Sequence, residues 1–178
     1  SVLIDNLMYG GQQERAKRPG TMNVPAIVGF GKAVEICKRD LNTNEFKIKK
    51  LREYFKSKLK DEIPDIMFNG SQTQTISSVL NVSFVGAEGE SVMTMLDMKG
   101  ICVSVGAACS SNGTDISHVI KALGYDNELA QSAVRFSISK LNSFEEIDTV
   151  VEELKEIVKK LRAISPIYKK GCVCTTKK

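Results

Sequence analysis

The clearest hydrophobic pattern lies near the end of the chain, where apolar residues recur every three or four positions. This spacing predicts a helix with one buried stripe, which consists of Ile147, Val150, Val151, Leu154, Ile157, Val158 and Leu161. Ser143 and Glu146 have the spacing of a capping box just ahead of the stripe, and Pro166 follows it. We therefore expect a helix that begins after Ser143 and ends before Pro166.

The same spacing predicts two helices in the first third of the chain. Pro25 suits the first turn of a helix, and it is followed at helical spacing by Ala26, Ile27, Phe30, Ala33, Val34 and Cys37. A second helix is predicted over 45–60 and is stopped by Pro64; its stripe is Ile48, Leu51, Phe55 and Leu59. Residues 1–23 are polar and glycine-containing, so we expect them to be irregular.

Alternation with a period of two predicts strands in the middle of the chain. In "VLNVSFV" (79–85) the apolar residues alternate with Asn81 and Ser83, and "SAVRFSIS" (132–139) sets Arg135 on the polar side. A short apolar strand, "ICVSV" (101–105), lies between them. Two more helices are predicted, one over 88–99 that ends at Gly100, and one over 116–123 that Asp115 opens and Gly124 closes. The result is an α+β domain with a short sheet packed with helices.

Composition limits the classes of function. The 178 residues are 42% apolar and 26% charged, as in an ordinary globular protein, with a net charge of +4. No basic stripe with interleaved aromatic residues appears, and no apolar stretch is long enough to span a bilayer, so we predict neither nucleic-acid nor membrane binding. Five cysteines without an export signal indicate reduced thiols and a cytoplasmic location. Because the chain begins without methionine, we expect it to be part of a longer protein.

Cys109 is the most unusual candidate for chemistry, because it lies among small residues in "VSVGAACSSNG" (103–113). Its surroundings are typical either of an idle thiol in a loop or of a nucleophile that needs exposure and reach. His118 is nine residues away with no other member of a triad, and we predict that it is an ordinary helix residue.

Cys37 and Cys102 lie among apolar residues and are predicted to be buried. Cys172 and Cys174 are predicted to be adventitious thiols rather than metal ligands.

Two polar residues complete the set of candidates. Arg135 projects from the polar side of a strand beside Ser137 and Ser139, which suits bidentate binding of a carboxylate as well as it suits a solvated sheet face. Thr21, in "ERAKRPGT" (14–21), belongs either to a solvated basic turn or to a phosphate site built with nearby backbone amides.

Several long segments together resemble one family, the NifS-like cysteine desulfurases, which are class-V aminotransferase-type enzymes. The segments are "GGQQERAKRPGTMNVPAIVGFGKA" (10–33), "LNVSFVGAEGES" (80–91), "VSVGAACSS" (103–111), "SHVIKALG" (117–124) and "AVRFSISKLNSFEEID" (133–148). The resemblance implies the small C-terminal domain of a fold-type I transferase that depends on pyridoxal phosphate. It also implies that residues 1–23 trail from a large cofactor-binding domain. The small domain is then 24–165 with a catalytic loop at 103–116, and 166–178 form a tail.

The resemblance also implies roles for the candidates. Cys109 is expected to take sulfur from L-cysteine as a persulfide, which leaves L-alanine and supplies sulfur to an acceptor such as an iron–sulfur scaffold protein. Arg135 is expected to hold the carboxylate of the substrate. Thr21 is expected to contact the phosphate of pyridoxal phosphate bound in the neighbouring subunit of a homodimer.

The family's cofactor-binding lysine lies in a serine–histidine–lysine segment that this chain lacks, so we expect the chain to be inactive alone. Selenocysteine lyase, which applies the same chemistry to selenium, is an alternative. A second alternative is a non-enzymatic thiol module for sulfur relay or metal binding, built on Cys109 and the tail cysteines.

Overall fold

The computed structural model describes residues 5–106, 117–166 and 168. The chain divides into two compact units, 1–42 and 43–178. No helix in the described part of the chain is long and apolar enough to cross a membrane.

The first unit contains one four-residue turn, α1 (Gln13–Ala16), and the beginning of helix α2 (Val24–Glu62). The prediction of two separate helices was wrong, because α2 continues without a break through residues 38–44. That stretch contains aspartate, asparagine and threonine, which are only mediocre helix formers, but it contains neither glycine nor proline. The helix ends just before Pro64, as predicted.

The second unit is built on a four-stranded antiparallel sheet with the order β1-β2-β4-β3. The strands are β1 (Ile66–Phe68), β2 (Val79–Phe84), β3 (Ser104–Val105) and β4 (Ala133–Ser137). The predictions of β2 and β4 are confirmed. The predicted strand 101–105 is shortened to its last two residues, and β1 was missed because three residues are too few for a period to appear.

One face of the sheet forms the core with the helices. Its side chains alternate with those of the open face, so Val82, Val134 and Phe136 are buried while Asn81 and Arg135 are only half-buried. The predicted stripe of α2 packs here: Leu51, Phe55 and Leu59 are buried and Ile48 lies against them. Phe55 meets Phe136 edge to face, with their ring centroids 5.0 Å apart.

Helix α3 (Gly89–Asp97) covers the same face and ends where the sequence predicted. Gly100 follows it with φ +75°, a conformation that glycine adopts without strain, and its N–H donates to the carbonyl of Asp97. The next predicted helix is the short α4 (His118–Lys121), followed by Gly124 with φ +80°. Asp115, predicted to open it, lies outside the described residues. Helix α5 (Asn127–Gln131), capped by Asp126, was not predicted.

Helix α6 (Phe144–Ile164) confirms the strongest prediction. The Ser143 hydroxyl accepts from the backbone N–H of Glu146, and the Glu146 carboxylate accepts from the N–H of Ser143. The Asn142 amide also donates to that carboxylate, and these bonds lower the pKa of Glu146. The stripe residues Ile147, Val151, Leu154, Ile157 and Val158 are buried, with Val150 and Leu161 packed against them.

We predict that Leu154→Ala lowers the free energy of unfolding by about 3 kcal/mol, because Leu154 is fully buried and its truncation leaves a cavity. The measurement is urea denaturation followed by circular dichroism. Leu141→Ala is the matched control, since Leu141 is 83% exposed and its truncation should cost well under about 1 kcal/mol. Equal losses in the two variants would contradict the buried position of α6.

Candidate functional site

A row of polar residues crosses the open face of the sheet. Arg135 of β4 lies opposite Asn81 of β2 and opposite Ser104 of β3. Asn69, immediately after β1, extends the row because its backbone N–H donates to the carbonyl of Asn81 at 2.9 Å. All four side chains are half-buried. Residues that lie directly opposite each other in antiparallel strands have side chains close enough to interact, so the row is one surface feature rather than four separate residues.

Arg135 has its hydrogen-bonding capacity available. Within residues 5–106, 117–166 and 168, no hydrogen bond or ion pair joins its guanidinium to another side chain or to the backbone. A half-buried guanidinium offers up to five N–H donors in a fixed planar arrangement, and a carboxylate matches two of them at once. The prediction that Arg135 projects from the polar side of its strand is confirmed. Ser137 shares that side, whereas Ser139 lies beyond the end of β4.

Cys109 lies outside the described residues, as does the rest of the segment 107–116. The structure does describe where that segment begins and ends. It begins after Gly106, which follows the edge strand β3 and has φ +59°, and it ends before Ser117, which precedes α4. Val105 pairs with Val134, the neighbour of Arg135 in the chain. The segment therefore begins beside the polar row.

Gly89 allows α3 to pack closely against the strand from which this segment leaves. A Cβ at Gly89 would lie 2.9 Å from the carbonyl oxygen of Gln131, 3.0 Å from that of Ala133 and 3.3 Å from Val105. Because contacts under 3.0 Å to backbone atoms do not occur without displacement, any larger residue would push α3 away from β3 and β4. Sequence reasoning missed this role, since the glycine lies in a segment that reads simply as a helix start.

Helices α4 and α5 cover the other end of the open face. Ile120, Ala130 and Ala133 form a second small core with Tyr125 packed against it. The hydroxyls of Ser83 and Ser132 both donate to the carbonyl of Leu129, which fixes α5 on the sheet. His118 is exposed at the start of α4, which confirms its prediction as a helix residue.

Thr21 belongs to the first unit, whereas Arg135 belongs to the second. It is exposed and follows Gly20, which has φ +103°. The Arg18 guanidinium donates to the carbonyl of Gly20 at 3.2 Å and to that of Thr21 at 3.4 Å, and it thereby shapes the turn. An exposed hydroxyl beside a guanidinium is a donor set that fits one side of a phosphate group.

The predictions that Cys37 and Cys102 are buried were wrong, since both thiols are exposed. Cys37 lies on the part of α2 that belongs to the first unit, where neighbouring apolar residues such as Phe30 and Val34 are exposed too. Cys102 precedes the two-residue strand β3. It borders a cavity of about 440 Å³ between residues 100–103 and the end of β4, so the strand predicted there does not enclose it.

Metal binding gains no support from the described ranges, in which no cluster of three or more histidine, cysteine, aspartate or glutamate side chains could hold a metal ion. Cys172 and Cys174 lie outside these ranges, and their assignment as adventitious thiols stays a prediction.

Comparison with known proteins gives consistent similarities. Residues 5–150 match the family model "Aminotransferase class-V". The chain is 41% identical over 169 residues to the cysteine desulfurase IscS of Methanosarcina thermophila, covering 95% of this chain and 42% of that protein. It is 42% identical over 162 residues to the mitosomal cysteine desulfurase of Encephalitozoon cuniculi, covering 91% of this chain and 37% of that protein.

Solved structures agree. The NifS-like protein from Rickettsia africae is 30% identical, with a TM-score of 0.76 over 89% of this chain and 41% of the other. The chain thus spans about 40% of the length of the curated relatives that it matches.

We predict that Cys37 and Cys102 both react with iodoacetamide in the folded 178-residue chain, because both thiols are exposed. Peptide mass spectrometry after timed quenching measures the rate at each cysteine. The same protein in denaturant is the control, and each rate should change by less than about tenfold on unfolding. Protection of either thiol until the chain unfolds would contradict its exposed position.

Proposed function

This chain belongs to the class-V aminotransferase family, and on that basis we propose that it forms the small domain of a pyridoxal-phosphate-dependent cysteine desulfurase. The proposed domain is 24–165, with 1–23 trailing from the large domain and 166–178 as a tail. The proposed reaction removes sulfur from L-cysteine and leaves L-alanine. The observation that carries the proposal is the guanidinium of Arg135, which has no partner among the described residues and pairs in register with Ser104, three residues before the segment 107–116 that holds Cys109.

Arg135 is proposed to bind the carboxylate of the substrate. Its guanidinium is half-buried on a strand that the core holds in place, and no described residue competes for its donors. Partial burial lowers the effective dielectric constant around the ion pair and strengthens it relative to water. A carboxylate held in two hydrogen bonds has a fixed orientation, so the rest of the substrate extends in a defined direction from the sheet.

Cys109 is proposed to be the nucleophile. Cys109 is the third residue after Gly106, so its Cα lies within about 11 Å of the Gly106 Cα in any conformation. In the proposed step, its thiolate sulfur forms an S–S bond to the substrate sulfur while the Cβ–S bond of the substrate breaks. The electron pair of that bond stays on the carbon, which gains a proton and becomes the methyl group of alanine. A small fraction of an ordinary thiol is already ionised at neutral pH, so no permanent histidine partner is required.

Thr21 is proposed to donate its hydroxyl to the phosphate of pyridoxal phosphate bound in the neighbouring subunit of a homodimer. The exposed hydroxyl and the adjacent Arg18 support this role by the chemistry of their donors. The bound cofactor supplies the electron sink that makes the carbon–sulfur bond breakable. No lysine of this chain lies in the family's cofactor-lysine context, so that residue is proposed to lie in the large domain.

The persulfide is proposed to pass its sulfur to an acceptor such as an iron–sulfur scaffold protein. The cytoplasmic location remains a prediction, and a relative of similar identity is described as mitosomal.

We predict that Cys109→Ala abolishes the release of alanine and sulfide by the protein that joins this chain to the proposed large domain. The substitution removes the only proposed acceptor for the substrate sulfur. Alanine and sulfide are quantified after incubation with pyridoxal phosphate, L-cysteine and a reductant. Cys102→Ala is the control, since that thiol is exposed but lies before β3.

Unchanged release by Cys109→Ala would contradict the assigned nucleophile, and no release by the unsubstituted protein would contradict the desulfurase itself. Release of selenide from L-selenocysteine without release of sulfide from L-cysteine would instead identify a selenocysteine lyase.

We predict that Arg135→Ala lowers kcat/KM for L-cysteine by about 30- to 1000-fold, which corresponds to the loss of about 2–4 kcal/mol for one member of a charge-assisted pair. Arg135→Lys should recover only part of the loss, because an ammonium group cannot bind a carboxylate in two parallel hydrogen bonds. Steady-state kinetics of alanine production measure both variants. Arg39→Ala is the matched control, since Arg39 is exposed and paired with Asp40. A kcat/KM of Arg135→Ala equal to that control would remove Arg135 from the site.

A further inference from the structure

We propose that Asn81 is a second substrate-binding residue, which donates a hydrogen bond to the carboxylate held by Arg135, and that Asn69 positions Asn81 for this contact. The inference rests on the proposed role of Arg135 as the carboxylate ligand. It adds a neutral donor to that site and a residue that orients the donor. Neither asparagine stands out in the sequence, where they lie twelve residues apart and only Asn81 falls on a predicted strand.

Asn81 is placed to share a ligand with Arg135. It is the residue of β2 directly opposite Arg135, and both side chains are half-buried on the open face of the sheet. The neighbouring positions on this face do not offer the same donor, because Ser83 is fully buried under α5 and Val79 is apolar. Asn81 is therefore the one residue of β2 that can share a ligand with Arg135.

The surrounding hydrogen bonds determine the orientation of the Asn81 amide. The Ser83 hydroxyl donates to the carbonyl of Leu129 at 3.0 Å, so it must accept from the side chain of Asn69. The group of Asn69 that faces Ser83 is consequently its NH₂ group, which also reaches Asn81. Asn81 must then present its oxygen to Asn69, at 2.6 Å from Nδ2.

With its oxygen engaged on the β1 side, Asn81 has an NH₂ group whose two hydrogens have no acceptor among the described residues. The nitrogen and the oxygen of an amide diverge from one carbon, so the NH₂ group does not face Asn69. The neighbour of β2 on the side away from β1 is β4, which holds Arg135. The row therefore contains two adjacent donors, the charged guanidinium of Arg135 and the neutral NH₂ group of Asn81.

Two adjacent donors match the chemistry of a carboxylate better than one. A carboxylate has about four lone-pair sites, and a bidentate arginine uses one on each oxygen. Asn81 can donate to a remaining site without a charge of its own. An aspartate at this position would instead pair with Arg135 and block it, so a neutral amide is the side chain that keeps the guanidinium available.

The unpaired side-chain oxygen of Asn69 supports a positioning role for this residue. Its Oδ1 is buried and has no hydrogen-bond partner in the described part of the chain. A buried acceptor without a partner destabilises a fold, and such groups are rare unless a functional arrangement requires them. The oxygen of Asn69 thus has no described hydrogen-bond partner, while the NH₂ group of the same side chain donates to both Asn81 and Ser83.

The test is a titration of the ¹⁵N-labelled 178-residue chain with L-alanine, the proposed product, and in parallel with L-alaninamide, which lacks the carboxylate. We expect L-alanine to shift the side-chain NH₂ signals of Asn81 and the Nε–H signal of Arg135, and L-alaninamide to shift neither. Asn81→Ala should raise the Kd of L-alanine by about tenfold, the scale of one hydrogen bond to a charged group. Asn69→Ala should raise the Kd less and broaden the Asn81 signals.

Matched variants separate binding from folding. Ser137→Ala alters a polar residue on the same face of β4, outside the row, and should leave the Kd unchanged. Asn81→Asp preserves the size of the side chain and should weaken binding more than Asn81→Ala, because the new carboxylate pairs with Arg135. This variant also decides the question if Asn81→Ala does not fold.

A shift of Arg135 alone, with the same Kd in Asn81→Ala and Ser137→Ala, would overturn the inference and leave the proposed role of Arg135 intact. Shifts of equal size with L-alaninamide would also overturn it, because the contact would then not involve the carboxylate. The desulfurase proposal is decided separately by the alanine and sulfide released from L-cysteine, so the two can fail independently.

Discussion

The second unit depends on the antiparallel register that sets Asn81 and Ser104 opposite Arg135. Because side chains alternate along a strand, this register sends Val134 and Phe136 into the core and leaves Arg135 on the open face. A slip of one residue would bury the guanidinium among apolar side chains and expose the phenyl ring. Burying an unpaired charge is far more costly than any single packing defect, so the register is strongly determined.

The two faces of the sheet consequently differ in polarity, and the helices cover them to different extents. The capped helix α6, the second half of α2 and α3 cover one face along its length, while α4 and α5 cover only one end of the other. Arg162 of α6 joins the layers, since its guanidinium donates to the carbonyls of Val85 and Asp65 at 2.8 Å each. Burial lowers the pKa of Arg162, yet these carbonyls satisfy its donors in a way that no described group satisfies those of Arg135.

Local periodicity explains which parts of this arrangement could be predicted. Helix α6, the alternation in β2 and β4 and the polar placement of Arg135 depend on neighbouring residues, and all are confirmed. The short strand β1, the five-residue α5 and the exposure of Cys37 and Cys102 depend on contacts between distant segments, or on the lack of them, which no local pattern encodes. The polar row is of the same kind, because it exists only once the strand order and register are known. The assignment of Cys109 rests on resemblance and stays a proposal.

The sheet also supports the proposed carboxylate-binding residue and the segment with the proposed nucleophile in different ways. In the proposed site, the group that binds the substrate carboxylate must stay fixed, and Arg135 lies on an inner strand that is paired on both sides. The segment with Cys109 starts from the edge strand, which is only two residues long and is paired on one side. Gly89 lets α3 pack against that strand at its last residue, Val105. The described part of the domain thus sets the proposed carboxylate-binding residue on an inner strand and the start of the Cys109 segment at the edge of the sheet.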